Sequence, residues 1–356
     1  MAVTSYGVND PLAVKVWSKR LSIEVLKNTW ASRFMGTSSA NVIQIKDELQ
    51  KGSGDKITYG LRMQLTGTGV LGDGTLEGNE ESLTTYSDAV ILNQLRHAVR
   101  SAGRMSQQRV PFSIRDEALS GLRDWWADRL DFAFFNQVCG YTPQTQTQWT
   151  GLQAPIYPDN NHYLNALSAT STQDESITSA FTFVLPLIDR AVERARTLAP
   201  AIRPVKVDGK DFWVAFLHPY QVTDLRTNTA TGQWLDIQKA AMTGGEIEDN
   251  PIFDGALGVY NGAILHSDYR VPQGVTSTAQ TTPVTSVRRA VLCGAQAAML
   301  AYGRDNGPER YTWVEELFDY ENELGVSAGL IFGLKKTNFN AQDFATIVMS
   351  SWAAAH

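Results

Sequence analysis

Apolar residues fall at helical spacing in one long stretch. Ile114, Ala118, Leu119, Leu122, Trp125, Trp126, Leu130, Phe134 and Val138 share one face of a 3.6-residue period, which predicts a helix over 113–139. Ser113 is a good N-cap with Asp116 three residues on, and Gly140 is a natural stop. At 1.5 Å per residue such a helix runs roughly 40 Å and needs a body of similar length to lie across. A second helix is predicted around Leu185–Leu198, with Pro186 placed for its first turn, and Pro219 opens a third through Leu225. A short amphipathic helix within an extended arm is predicted near the start. There Val14, Val16, Trp17, Leu21, Val25 and Leu26 alternate with Lys15, Lys19, Arg20 and Lys27.

Other stretches read as strands: 42–45, 57–66, 88–100, 212–217, 258–266 and 269–271. Leu324–Lys335 is β-like with Gly325, Gly329 and Gly333 at every fourth place, and 289–302 fits strand and helix alike. Between the strands 57–66 and 88–100 lie Gly67, Gly69, Gly72, Gly74 and Gly78. Such a stretch cannot offset its ordering entropy by burying side chains. The region therefore predicts a long projecting hairpin with a glycine-rich end, which persists only if it packs on something else. Residues 141–175 are rich in Thr, Gln, Asn, Ser and Pro and read as a surface loop or insertion. Helices and strands are mixed without a βαβ rhythm or a long-period repeat, which makes the fold class α+β.

Composition adds a surface property. Of 356 residues, 43% are hydrophobic, nine are Trp and only 19% are charged, below the usual quarter. A lightly charged, Trp-rich chain suits a surface later buried against copies of itself, or a larger core. The net charge of −6 and the lack of a basic tract argue against direct nucleic-acid recognition. Cys139 and Cys293 belong to no Cys-x-x-Cys motif and read as buried free thiols of a cytosolic chain. The first ten residues lack the basic start and apolar run of a signal peptide, and no apolar run approaches a membrane span.

Candidate chemistry is thin. Gly67-x-Gly69-x-x-Gly72 matches a dinucleotide fingerprint in form, but the following Asp73-Gly-Thr-Leu-Glu will not open the helix that pyrophosphate binding needs. Gly325-Val-Ser327-Ala-Gly329 matches a nucleophile elbow, but only His356 lies downstream, so a glycine-spaced strand is the better reading. His97, His162, His218, His266 and His356 include no pair at helical zinc spacing. His218 and His266 read as hydrogen-bonded strand-end residues. Asp73, Glu77, Glu80 and Glu81 lack EF-hand spacing for calcium. The acidic cluster Glu315, Glu316, Asp319 and Glu321 is expected to pair with Lys335, Lys336 or a neighbouring subunit's arginine. No catalytic residue, cofactor or metal is expected.

Several ordered blocks carry a resemblance. They are 78–81 (GNEE), 94–98 (QLRHA), 105–109 (MSQQR), 124–129 (DWWADR), Phe135-Asn136, 188–191 (IDRA) and His218-Pro219-Tyr220. The stretches from Ile252 to His266 and from Trp313 to Asn340 follow. From about Trp17 to Phe344 the chain resembles the major capsid proteins of tailed bacteriophages and prophages, which build on the HK97-like fold. The resemblance implies a non-enzymatic subunit that self-assembles into hexamers and pentamers of an icosahedral head around double-stranded DNA. A tail-tube protein is the alternative, with a hydrolase or nucleotide-binding enzyme further behind.

The resemblance also implies an arrangement: an N-terminal arm (1–40) and an extended hairpin loop with its return strand (41–104). A peripheral domain (105–204) carries the spine helix, an axial domain spans 205–290, and a C-terminal return to the peripheral domain spans 291–356. Contacts between subunits are expected at Trp17 of the arm, and at Lys51, Lys56, Gly67, Gly69, Gly72 and Glu77 of the hairpin. Glu315, Glu316, Lys335 and Lys336 are the candidates near the C-terminus. A Lys–Asn cross-link from Lys51 or Lys56 to Asn338 or Asn340 is not expected. Expected partners are copies of the chain, a separate scaffolding protein, a portal protein, a decoration protein and non-specifically packaged DNA. Assembly is expected in the host cytoplasm, with residence in the virion.

Overall fold

The computed structural model describes residues 11–50, 54–63, 65–111, 113–167, 173–207, 209–228, 258–303 and 310–355. Lys51, the first ten residues, His356 and the start of the 252–266 block lie outside them, as does the Trp17 side chain.

The long helix spans Ile114–Val138. The Ser113 hydroxyl accepts from the Asp116 N–H at 3.4 Å, and Asp116 and Glu117 sit at the positive end of the helix dipole. At the other end Gly140 has φ of 63°. The Tyr141 N–H bonds the Asn136 carbonyl at 2.9 Å and the Gly140 N–H bonds that of Gln137 at 3.1 Å. This double closure is a Schellman stop, and the left-handed residue it needs is the glycine.

The helix lies across a six-stranded sheet whose centre is the 14-residue strand Glu323–Lys336. At about 3.3 Å per residue that strand is about 46 Å long, a match for the helix. Asn93–Arg100 pairs along one edge of it, and Thr312–Phe318 and Ala298–Tyr302 pair end to end along the other. Ile43–Lys46 extends the sheet beyond Ala298–Tyr302. Trp126 is the centre of the packing, edge-on to Tyr311 at 5.3 Å and to Phe332 at 6.1 Å.

A second, eight-stranded sheet runs in the order Tyr163–Asn165, Thr346–Trp352, Pro283–Cys293, Lys210–Leu217, Ala263–Ser267, Gly258–Tyr260, with Gln273–Val275 paired to Pro283–Cys293 and Val205–Val207 to Lys210–Leu217 off that path. The amphipathic helix Leu185–Thr197 buries Leu187, Ile188, Ala191 and Val192. One core runs through both sheets, and a smaller one formed by Ile57, Tyr59, Val90, Met299 and Phe339 sits under the hairpin.

Several expectations change. The 88–100 strand is two strands, Thr85–Ile91 and Asn93–Arg100, because Leu92 turns inward and its N–H bonds the Asp55 carbonyl at 2.7 Å. The first pairs with Lys56–Arg62 as the hairpin, and the second joins the sheet. The ambiguous 289–302 stretch contributes to two strands, Pro283–Cys293 and Ala298–Tyr302, one in each sheet. The 298–336 part of the C-terminal stretch lies in the sheet under the spine helix, but Thr346–Trp352 lies in the other, antiparallel to Pro283–Cys293. The helix near the start is 18 residues long, Pro11–Asn28, and Leu21 and Val25 are wholly buried.

The 141–175 segment is not a loose surface loop over its described residues. Gln137, wholly buried, donates to the carbonyls of Thr150 at 2.7 Å and Gln153 at 2.9 Å, and Asn136 donates to that of Trp149 at 2.9 Å. The spine helix satisfies the segment's backbone, so polar composition does not keep it in water. Gly151, at φ of 70°, leaves room for the Leu334 backbone, whose N–H bonds its carbonyl at 2.9 Å.

Candidate assembly interface

The hairpin strands Lys56–Arg62 and Thr85–Ile91 pair in register from Lys56–Ile91 to Arg62–Thr85. Beyond them the described residues of 63–84 are exposed, apart from the half-buried Met63 and Val70, and form turns and irregular chain rather than strands. Leu65, Leu71, Leu76 and Leu83 all stand in solvent, Leu71 at 92% exposure. The Glu81 carboxylate accepts the N–H groups of Thr66 at 2.8 Å and Gly67 at 2.7 Å, which holds it below the usual carboxylate range. This contact pins the neck of the loop. Gly67, Gly69, Gly72 and Glu77 therefore sit on an exposed tip, and Lys56 is exposed on the first hairpin strand. The glycines open no helix.

The root of the hairpin is fastened to the body through Asp88. Its carboxylate accepts from the Tyr59 hydroxyl at 2.8 Å, from the Asn338 N–H at 3.2 Å and from Lys335 Nζ. Burial, then the Asp88 charge, pushes the Tyr59 phenol upward, so the hydroxyl stays a donor. The hairpin leaves the sheet over Gly333, where a methyl group would run into the Ile91 carbonyl. Gly329 leaves room for the Arg96 stem and Gly325 for the Phe318 ring. The glycine spacing thus makes room for the hairpin backbone at Gly333 and for side chains of the neighbouring strands at Gly329 and Gly325.

Successive strand residues face opposite sides, and the two lysines separate accordingly. Lys336 is corrected as a contact candidate: it is 0% exposed. Its Nζ donates to Asp343 at 2.8 Å and to the Ile156 carbonyl at 2.9 Å. Burial raises the Asp343 carboxyl and the Lys336 charge opposes that rise. Glu315 is also held within the chain. Arg115 reaches it at 2.7 Å and the Trp313 indole N–H at 2.9 Å. Neither pairs with the other, contrary to the expected link between the acidic cluster and the lysines. Lys335 is half-buried and bound to Asp88, so only Glu316 of the four is exposed.

Three features had no sequence signal. Arg289, wholly buried, pairs with Asp174 at 2.7 Å and donates to the carbonyls of Cys139 at 3.3 Å and Gly140 at 3.0 Å. It is the cation at the C-terminal end of the spine-helix dipole. Asp131, also buried, accepts the Trp30 N–H at 3.0 Å and the Ala31 N–H at 2.9 Å, tying the arm to the spine helix. Burial pushes its carboxyl up to about 6 against those bonds and the Arg270 charge. Asp88 is the third.

Ser327 is mid-strand, with its hydroxyl donating to the Val314 carbonyl at 3.4 Å, not at an elbow. His218 caps the helix Pro219–Thr227, its Nδ1 accepting the Tyr220 N–H at 3.2 Å. Burial and then Arg288 lower its pKa to about 4, which keeps that acceptor unprotonated. His266 lies in the strand Ala263–Ser267, packed edge-on to Trp30 and Phe34. Cys139 and Cys293 are both free and buried. Among the described residues no group of three His, Cys, Asp or Glu could hold a metal, and no helix is long and apolar enough to cross a membrane.

Comparison with known proteins agrees with this architecture. The chain is similar to the capsid of Ralstonia phage GP4, with 36% identity, a TM-score of 0.76 and 99% of each chain covered. The Cyanophage Pam1 capsid aligns at a TM-score of 0.73 with 20% identity over 100% of this chain and 95% of its own, a likeness of fold. The major capsid protein of Pseudomonas phage KPP25 is 28% identical over 93% of both chains. The fold is the HK97-like fold of phage capsids. The model of the family described as phage capsid protein matches residues 5–355, and the chain belongs to that family.

Proposed function

We infer that the chain is the major capsid protein of a phage head, a structural subunit rather than an enzyme, and that its working parts are surfaces that meet other copies. The observation that carries this reading is the hairpin. Its root is fixed by Asp88, while its end holds four leucines in water. A lone subunit gains nothing from exposed leucines on a projecting tip, whereas a neighbour that covers them gains their burial. Their transfer contributes only a few kcal/mol per contact, which suffices because closure of a shell multiplies each contact over many subunits.

The sheet under the spine helix serves as the peripheral domain. The second sheet, with 205–290 as its main part, serves as the axial domain around which hexamers and pentamers form. The last strand, Thr346–Trp352, belongs with that second sheet. The arm, the tip (Gly67, Gly69, Gly72, Glu77), Lys56 and Glu316 contact neighbours. A scaffolding protein, a portal protein, a decoration protein and the packaged DNA are the further partners, with assembly in the host cytoplasm. The mild net negative charge supports loose, non-specific enclosure of DNA.

The test is electron microscopy of the chain coexpressed with its genomic neighbours, beside a variant lacking 67–78. Closed shells from the parent chain and sharply fewer from the deletion, with subunit unfolding unchanged, are expected. Wild-type shell yield from the deletion would remove the hairpin tip from assembly. A monodisperse monomer from the parent under every condition would overturn the capsid reading.

A further inference from the structure

The strands Thr312–Phe318 and Glu323–Lys336 are joined by four residues, 319–322, closed by the Phe318–Glu323 pair. Asp319, Tyr320 and Glu321 have φ of 50°, 52° and 68°. Three successive non-glycine residues in the left-handed region are costly, since a Cβ crowds its neighbouring carbonyl there. Aspartate tolerates the position, but tyrosine and glutamate have no local compensation. Glycine and asparagine are the residues that ordinarily close such turns.

The turn is held from below. The Asn322 N–H bonds the Asp319 carbonyl at 3.0 Å, and the Asn322 side-chain oxygen accepts the Arg104 N–H at 3.3 Å. Arg100 pairs with Glu323 and lies 4.3 Å from the Phe318 ring centre. The outcome of this bracing is a tyrosine held wholly in solvent, at 103% exposure. Backbone strain that the surroundings enforce marks a functional position, and no contact among the described residues uses this ring.

The bracing also fixes what lies beside the turn. Arg104 opens the short helix Arg104–Arg109, on which Arg104, Met105 and Arg109 are exposed, Met105 at 65%. Arg104 is bonded to the turn through its backbone. Even so, among the described residues no ion pair engages Arg104, Arg109, Asp319 or Glu321. Two opposite charge patches, each with one large exposed apolar side chain, therefore sit side by side at the start of the 14-residue strand without closing on each other.

We propose that the 319–321 turn and the Arg104–Arg109 helix are the two halves of one head-to-tail contact between copies of this chain, with Tyr320 as its anchor against Met105. The proposal rests on the reading of the chain as a shell subunit. Two complementary halves side by side can close as a two-fold pair or run head to tail, and the assembly of hexamers and pentamers selects the second. Copies gathered around such a rotation axis satisfy each half in turn, and the ring closes. Tyrosine and arginine are the side chains that dominate such contacts, since they combine apolar area with a polar end.

The experiment is shell yield, by sedimentation and microscopy, in the same coexpression, with subunit unfolding measured in parallel. Tyr320→Gly is the informative variant, because glycine relieves the left-handed backbone. Its unfolding midpoint is expected to hold or rise while shell yield falls at least tenfold. Glu321→Arg and Arg109→Glu are each expected to cut shell yield by a similar factor, and the double reversal to restore most of it. Wild-type yield in Tyr320→Gly and in both reversals overturns the contact. Loss in both reversals without rescue in the double overturns a second copy as the partner and points to another protein. If the parent chain forms shells, these outcomes bear on the contact alone. If it forms none, the capsid reading fails and takes the contact with it.

Discussion

The spine helix and the projecting hairpin spend the same kinds of residue in opposite ways. The helix places Leu122, Trp126, Leu130 and Phe134 against a sheet of its own length and closes both ends with hydrogen bonds. The hairpin places Leu65, Leu71, Leu76 and Leu83 in solvent, where no described residue buries them. A body whose core is complete can carry a surface whose apolar side chains are left for another copy. The boundary between the two regimes is narrow, at Asp88 on one side of Gly333 and Lys336 on the other. Lys335 secures the hairpin and Lys336 secures the core.

The largest break in this contrast is expected on the body side. Arg289→Met leaves Asp174 buried without its cation and the spine-helix carbonyls without a donor. It should cost the subunit about 3–5 kcal/mol in denaturant unfolding. Trp126→Ala empties the centre of the helix–sheet packing and is expected to cost a similar ~3–5 kcal/mol. If either variant unfolds within 1 kcal/mol of the parent, by the ~1 kcal/mol typical of point changes, the core is not where stability resides.

The next break is at the root. Asp88→Ala removes the acceptor shared by Tyr59, Lys335 and the Asn338 N–H. The expected cost is about 1–3 kcal/mol, the range for leaving buried donors unpaired. Limited proteolysis within 54–91 should quicken more than global unfolding does. Equal acceleration across the chain would mean the hairpin is not a separately fastened unit.

The smallest effect is a pH dependence. The folded Asp131 carboxyl titrates at about 6, above its ordinary value of 3.8, chiefly because it is buried. A raised carboxyl binds its proton more tightly in the folded state. Its contribution to stability is therefore full below the ordinary value and is lost as pH rises through about 6. Lowering the pH from 7 to 5 should stabilise the parent over Asp131→Asn by about 1 kcal/mol. A parallel pH profile for the two would place the proton elsewhere.

How much was legible in the sequence varies with the range of the interactions. The spine helix, its Ser113 cap and its Gly140 stop follow from neighbours within four residues, and they came out where the pattern put them. The glycine-rich tip was legible for the same local reason. The break at Leu92 was not, since 85–91 and 93–100 are both good strands and only their different partners separate them. The polar 141–175 segment looked like a surface loop because its backbone partners, Asn136 and Gln137, belong to the spine helix.

By itself the sequence determined the elements with local causes: the capped helix, the α+β mixture, the exposed glycine-rich tip, and through its ordered motifs the capsid family. Only the tertiary structure decided which charges are interior. Lys335 and Lys336 are identical to any local rule, yet strand alternation sends one to the hairpin and the other to Asp343. The same holds for Tyr320. A sequence shows an aromatic residue between two acids, and only the three left-handed backbone angles show that the fold holds it out in water.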